Sequence, residues 1–83
     1  MRDVMITERA TDGVIRCYRY RVCGGTLCRV NSAGNVVMRV CALPVGRDGL
    51  ARLSDIQLAH LVVDWHAANC RYLGAELEWH FTN

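Results

Sequence analysis

Lysine is absent: all ten basic residues are arginine, set against eight acidic ones. Every positive side chain is therefore a guanidinium, a planar fork suited to carboxylate or phosphate. A GC-rich genome gives the same bias without any function attached. A paired-cysteine motif is absent too. The five cysteines are odd in number and include no CxxC pair, which argues against a disulfide framework and for free thiols in a reducing cytoplasm. Apolar runs such as Leu61–Val63 are far too short to cross a bilayer. The opening MRDVMITERATDG is charged and has no apolar run, so it does not read as a secretory signal. CGGT is not followed by a helix, which excludes a phosphate loop. GRDG, at 47–50, lacks companion acids at calcium-loop spacing. Neither an RNP motif nor a helix-turn-helix is visible.

What is present fits one small globular domain, 1–83. The chain is 52% apolar and 22% charged, ordinary for a folded protein. A chain of this length buries only a small core and gains from a partner. The net charge of +2 hides an asymmetry. Residues 1–13 carry two arginines and three acids, 14–43 five arginines and no acid, and 44–83 three arginines and five acids.

TDG (11–13), CGG (23–25) and SAG (32–34) each separate runs with strand character, and each ends in glycine. A three-residue hairpin loop places its last residue in the left-handed region, where glycine costs least. The spacing predicts four antiparallel strands near 3–10, 14–22, 26–31 and 35–43. The first loop sets Val4 opposite Tyr20, Ile6 opposite Tyr18 and Glu8 opposite Arg16. The second sets Val22 opposite Thr26 and Tyr20 opposite Cys28. The third sets Val30 opposite Val36 and Cys28 opposite Met38. One face then collects Val4, Ile6, Tyr18, Tyr20, Val22, Cys28, Val30, Val36, Met38 and Val40. A two-residue loop at Gly24-Gly25 is the competing register.

Pro44 ends the fourth strand, and VGRDGLAR reads as a loop. Ser54 with Gln57 three residues on forms a capping box, with Leu53 and Leu58 placed as a hydrophobic staple. A helix is expected from Asp55 to Tyr72, stopping at Gly74. Ala75, Leu77, Trp79 and Phe81 then alternate with Glu76, Glu78 and His80, a half-buried strand. The fold class is α+β: a four-stranded antiparallel meander, one helix on one sheet face, and a fifth strand beside strand one, with a place beside strand four as the alternative.

Four groups of side chains are functional candidates. Arg19, Arg21, Arg29 and Arg39 share the sheet face away from the helix in this register, and an anionic partner such as nucleic acid is one use for them. A solvated face part-neutralised by Asp3 is the other. On the helix, Gln57, His60, Asp64 and Arg71 form a narrow wet stripe. Leu58, Leu61, Trp65 and Tyr72 form an apolar edge suited to a homodimer or a protein partner. Cys28, His66 and Cys70 could meet as soft metal ligands or a thiol–imidazole pair. That set lacks a fourth ligand and an oxyanion site, and the ordinary reading is a buried histidine beside inert thiols. The sequence therefore predicts a non-enzymatic protein-interaction module without cofactor, catalytic residue or membrane segment. Its type is the inhibitor or adaptor found on phages and mobile elements, with nucleic-acid binding as the alternative.

Overall fold

The computed structural model describes residues 3–43, 48–49 and 52–82. Among the described residues five strands and one long helix follow in order: β1 (Asp3–Arg9), β2 (Ile15–Cys23), β3 (Thr26–Val30), β4 (Val36–Ala42), α1 (Asp55–Asn69) and β5 (Glu76–Thr82). They form one antiparallel sheet in the order β4-β3-β2-β1-β5, with the helix on one face. The expected α+β architecture is what forms, and β5 pairs with β1. Most of the segment expected as a loop after Pro44 lies outside the described residues; Asp48 and Gly49, which are described, are helical and not loop.

The first hairpin has the expected register, with Val4, Ile6 and Glu8 opposite Tyr20, Tyr18 and Arg16. Its loop closes with Ala10 N–H on Val14 O at 2.9 Å, and Gly13 takes φ +88°. β5 alternates as expected: Leu77, Trp79 and Phe81 pack towards the core while Glu76, Glu78 and His80 are exposed.

The second hairpin differs from the sequence reading. Its loop has two residues, Gly24 and Gly25, because Cys23 pairs with Thr26 and Val22 with Leu27. Both glycines lie at positive φ, +58° and +89°, the signature of the type I′ turn, whose twist matches the flanking strands. The shift leaves β2 in place, since β1 fixes its facing, and slides β3 by one residue. Leu27 and Arg29 turn to the helix side; Cys28 and Val30 turn away. The gain is a fully buried Leu27 in the core. The third loop keeps its expected place, with Asn31 N–H on Asn35 O at 2.9 Å and Val30 opposite Val36. Two register shifts along β3–β4 then set Arg29 opposite Met38 and Cys28 opposite Arg39, not Cys28 opposite Met38. Bulges of this kind bend an edge strand and blunt it against stray pairing.

The capping box forms in full. Gln57 N–H donates to Ser54 Oγ and Ser54 N–H to Gln57 Oε1, at 3.2 and 2.9 Å. Leu58, Ala59, Val62 and His66 are the buried stripe of α1, facing Val4, Ile6, Tyr20 and Leu27. Burying such side chains contributes about 1.5–3 kcal/mol each. The helix stops three residues before its expected end. Cys70 and Arg71 N–H both converge on His66 O, which leaves Tyr72 free to leave the helical path. Gly74, at φ +77°, serves the following turn instead.

The two-residue turn makes a prediction. Gly25→Ala should cost about 1–2 kcal/mol, because a side chain is strained in the left-handed region. Gly24→Asn should be near neutral, because asparagine tolerates that region. Urea unfolding of both variants tests this; equal costs would contradict the assigned turn.

Candidate functional site

The inward alternation of β1 that buries Val4 and Ile6 also buries Glu8. The i, i+4 stripe of α1 that buries Leu58 and Val62 ends on His66. The first hairpin sets Tyr20 opposite Val4. These three local rules bring a carboxylate, an imidazole and a phenol together in the core, all fully buried. His66 Nδ1 lies 2.7 Å from the Tyr20 hydroxyl and Nε2 lies 3.1 Å from Glu8 Oε1. Burial lowers the His66 pKa, with Glu8 opposing in part, so the ring is neutral at pH 7. A carboxylate only accepts. The proton therefore sits on Nε2 and is donated to Glu8, while Tyr20 O–H donates to Nδ1. Burial raises the Tyr20 hydroxyl pKa, and the Cys70 thiol beside it adds to the rise.

Arginines and tyrosines surround this network where α1 ends. Tyr18 packs tilted against the His66 ring at 4.5 Å. The Arg29 guanidinium lies 4.8 Å from the Tyr18 ring centre and 5.5 Å from that of Tyr20. Arg16 lies 4.0 Å above the exposed Tyr72 ring, at distances where cation–π attraction operates. Glu8 Oε2, Arg16 Nη1 and Arg29 Nε are buried without a hydrogen-bond partner. Glu8 faces Arg16 across the ladder as expected, yet its bonded partner is His66. Among the described residues no pocket opens beside the network.

The other sequence candidates fall elsewhere. Cys28 does not meet His66 and Cys70: the shift of β3 puts it on the opposite sheet face. Among the described residues no three metal-ligating side chains gather. Arg29 leaves the expected arginine face for the same reason. Arg19, Arg21 and Arg39 remain there, and Asp3 holds two of them: Arg19 Nε at 2.7 Å, and Arg21 through Nε at 2.7 Å and Nη2 at 2.9 Å. Burial pushes the Asp3 carboxyl up, but hydrogen bonds from Arg21 and Arg19 outweigh it and hold its pKa below the ordinary value. The exposed Arg39 stands outside that clamp.

Of the expected helix edge, Leu58 is buried in its own core, and Leu61 and Trp65 pack partly against it. Trp65 meets the Tyr20 ring edge-on at 6.2 Å. Tyr72 alone is widely exposed, at 52%. Of the expected wet stripe, Gln57, His60 and Asp64 are exposed on α1, while Arg71, also exposed, lies past the helix end.

Sequence reasoning missed the Glu8–His66–Tyr20 network. The signal was present, since Glu8 shares the inward phase of Val4 and Ile6, and His66 sits on the apolar side of its helix. The pH dependence follows. In the unfolded chain His66 takes a proton below about pH 6.5, while the folded chain resists it. The unfolded state then binds more protons, so stability falls as pH drops from about 6.5 through the lower folded value. The depressed Asp3 carboxyl adds its own loss below about pH 4. Urea midpoints at pH 7 and 5 should therefore fall in the native chain. His66→Gln should flatten that slope and cost about 1–3 kcal/mol at pH 7 by orphaning buried partners. An unchanged slope in the variant would contradict the assignment.

No protein-family model, curated protein or solved structure matches the chain.

Proposed function

We propose that the chain is a small non-enzymatic protein-binding module, of the inhibitor or adaptor type, that engages a protein partner through one end of its sheet. The supporting observation is where exposed apolar side chains fall. Eight large apolar side chains are exposed among the described residues, and seven of them exclude Ile56 at the start of α1. Val14 and Ile15 follow the first hairpin loop, and Val36, Val37 and Met38 follow the third. Tyr72 and Leu73 follow the helix, and Gly74 lies against Thr11 of the first loop. The antiparallel topology puts these loops and the helix end at the same end of the molecule. Leu73 is fully exposed.

Single exposed apolar residues are ordinary; several gathered at one end mark an interaction surface. Burying each against a partner would contribute about 1.5–3 kcal/mol; micromolar binding needs about 8 kcal/mol beyond an association cost of at least about 4 kcal/mol, so most of the seven would have to be engaged. The helix edge serves this role less well, because Leu58, Leu61 and Trp65 are engaged with their own sheet. Asp3 also claims Arg19 and Arg21, which leaves little free charge for nucleic acid on that face. No helix among the described residues is long and apolar enough to cross a membrane.

A photo-crosslinker in place of Leu73, in native cells, should capture one discrete protein, and the same group at Asp64 should not. The double variant Val37→Asp, Leu73→Asp should lose at least about a hundredfold in affinity for that protein and keep its urea midpoint. Unchanged affinity, or capture of nucleic acid alone, would contradict the reading.

A further inference from the structure

The sheet has two outer strands, β4 and β5, and they are finished differently. Two register shifts interrupt the ladder that β4 makes with β3, and such bulges are a device that keeps an edge from pairing. β5 has none. Its seven residues pair with β1 in one unbroken antiparallel register, from Glu76 opposite Arg9 to Thr82 opposite Asp3. It carries no proline or arginine, and its acids, Glu76 and Glu78, share an exposed face with His80. Among the described residues nothing pairs with its outer side. The flank above that side is apolar. Leu77, Trp79 and Phe81 are only half-buried. The Trp79 ring meets the exposed His60 ring edge-on at 5.6 Å, so this side of α1 looks towards β5. Ile56, one turn before His60, is 58% exposed. It is the large exposed apolar side chain that the apolar end of the molecule leaves out.

We propose that β5 pairs with β5 of a second copy of this chain, antiparallel and about a twofold axis, joining two sheets into one. The strand's own pattern selects both the occupant and the register. Opposed residues in a ladder share a face. A twofold axis that keeps both helices on one side of the joined sheet therefore passes through a residue of β5. Centred on Trp79, the whole strand pairs. Leu77 lies opposite the partner's Phe81, and Trp79 opposite its own copy. Glu78 lies opposite the partner's His80, an acceptor against a donor, and Glu76 opposite the partner's Thr82. Every other centre loses pairs. Centring on Glu78 sets that carboxylate against itself, and centring on Leu77 sets Glu76 against Glu78. Centring on His80 leaves Glu76 and Leu77 with no opposite residue in the strand. A foreign strand would gain the same backbone bonds but has no reason to match the glutamate–histidine alternation. The same axis turns the Ile56–His60 row of each helix towards that of the other, above Trp79. This surface is independent of the apolar end proposed above, and twofold pairing sets the two apolar ends at opposite ends of the joined sheet.

The experiment is size-exclusion chromatography with light scattering on the full chain, joined to amide hydrogen exchange at low and high concentration. Twice the 9.3 kDa chain mass is expected. Amides of β5 should exchange more slowly as concentration rises, and those of β4 should not change. His80→Glu sets acid against acid at two symmetric pairs and should weaken the dimer at least about tenfold. Adding Glu78→Arg to it reverses the pairing and should restore the dimer. Leu73→Asp should keep the dimer, which separates this interface from the apolar end. Should His80→Glu fail to fold, hydrogen exchange of the unaltered chain still decides. A chain that stays monomeric at millimolar concentration overturns the proposal. So does concentration-dependent protection that falls on β4 and not on β5, a dimer that His80→Glu leaves intact, a charge swap that fails to restore it, or a dimer lost in Leu73→Asp.

Discussion

The fold depends on one side chain in the core, the imidazole of His66. It is bonded on one ring nitrogen to Tyr20 of β2 and on the other to Glu8 of β1. Apolar contact holds α1 against the sheet but leaves it free to slide. Two directional hydrogen bonds from one ring, to two neighbouring strands, fix where along the sheet the helix ends. A buried polar network is costly when half-made and specifies one arrangement when complete. Here the ring is complete and the carboxylate is not, since Glu8 Oε2 stays unpartnered. The helix end fixed by His66 also sets where Tyr72 and Leu73 emerge, and so where the apolar end of the molecule lies.

The opposite sheet face solves a different problem. Arg19 and Arg21 would repel if left alone on one strand face. Asp3 is almost fully buried and accepts from both. With the exposed Arg39, three cations and one anion leave an excess of two where the sequence suggests a face of four arginines. The fourth, Arg29, moves to the helix side, where it and Arg16 rest on tyrosine rings.

The architecture was legible because each element carried a periodic or local signal. Alternation marked β1, β2 and β5; the capping box marked the start of α1; glycine at the end of TDG and SAG marked two turns. The second turn was not legible. CGG serves equally as a three-residue loop ending in glycine or as a cysteine before a type I′ glycine pair. Only tertiary burial of Leu27 decides between them, and that information is not local. Every site reading that ran through β3 inherited the ambiguity. Arg29 changed face, and Cys28 parted from His66 for the same one-residue reason. The Glu8–His66 contact joins residues 58 positions apart, so it was legible only as two separate inward phases.

The most direct test of this account is the tautomer and charge of His66. Nitrogen-15 chemical shifts of the ring, followed from pH 7.5 to 5.5, report both. The account predicts a neutral ring protonated on Nε2, with Nδ1 accepting, at pH 7.5, and a midpoint below about 6.5. An imidazolium at neutral pH, or a ring protonated on Nδ1, would contradict it.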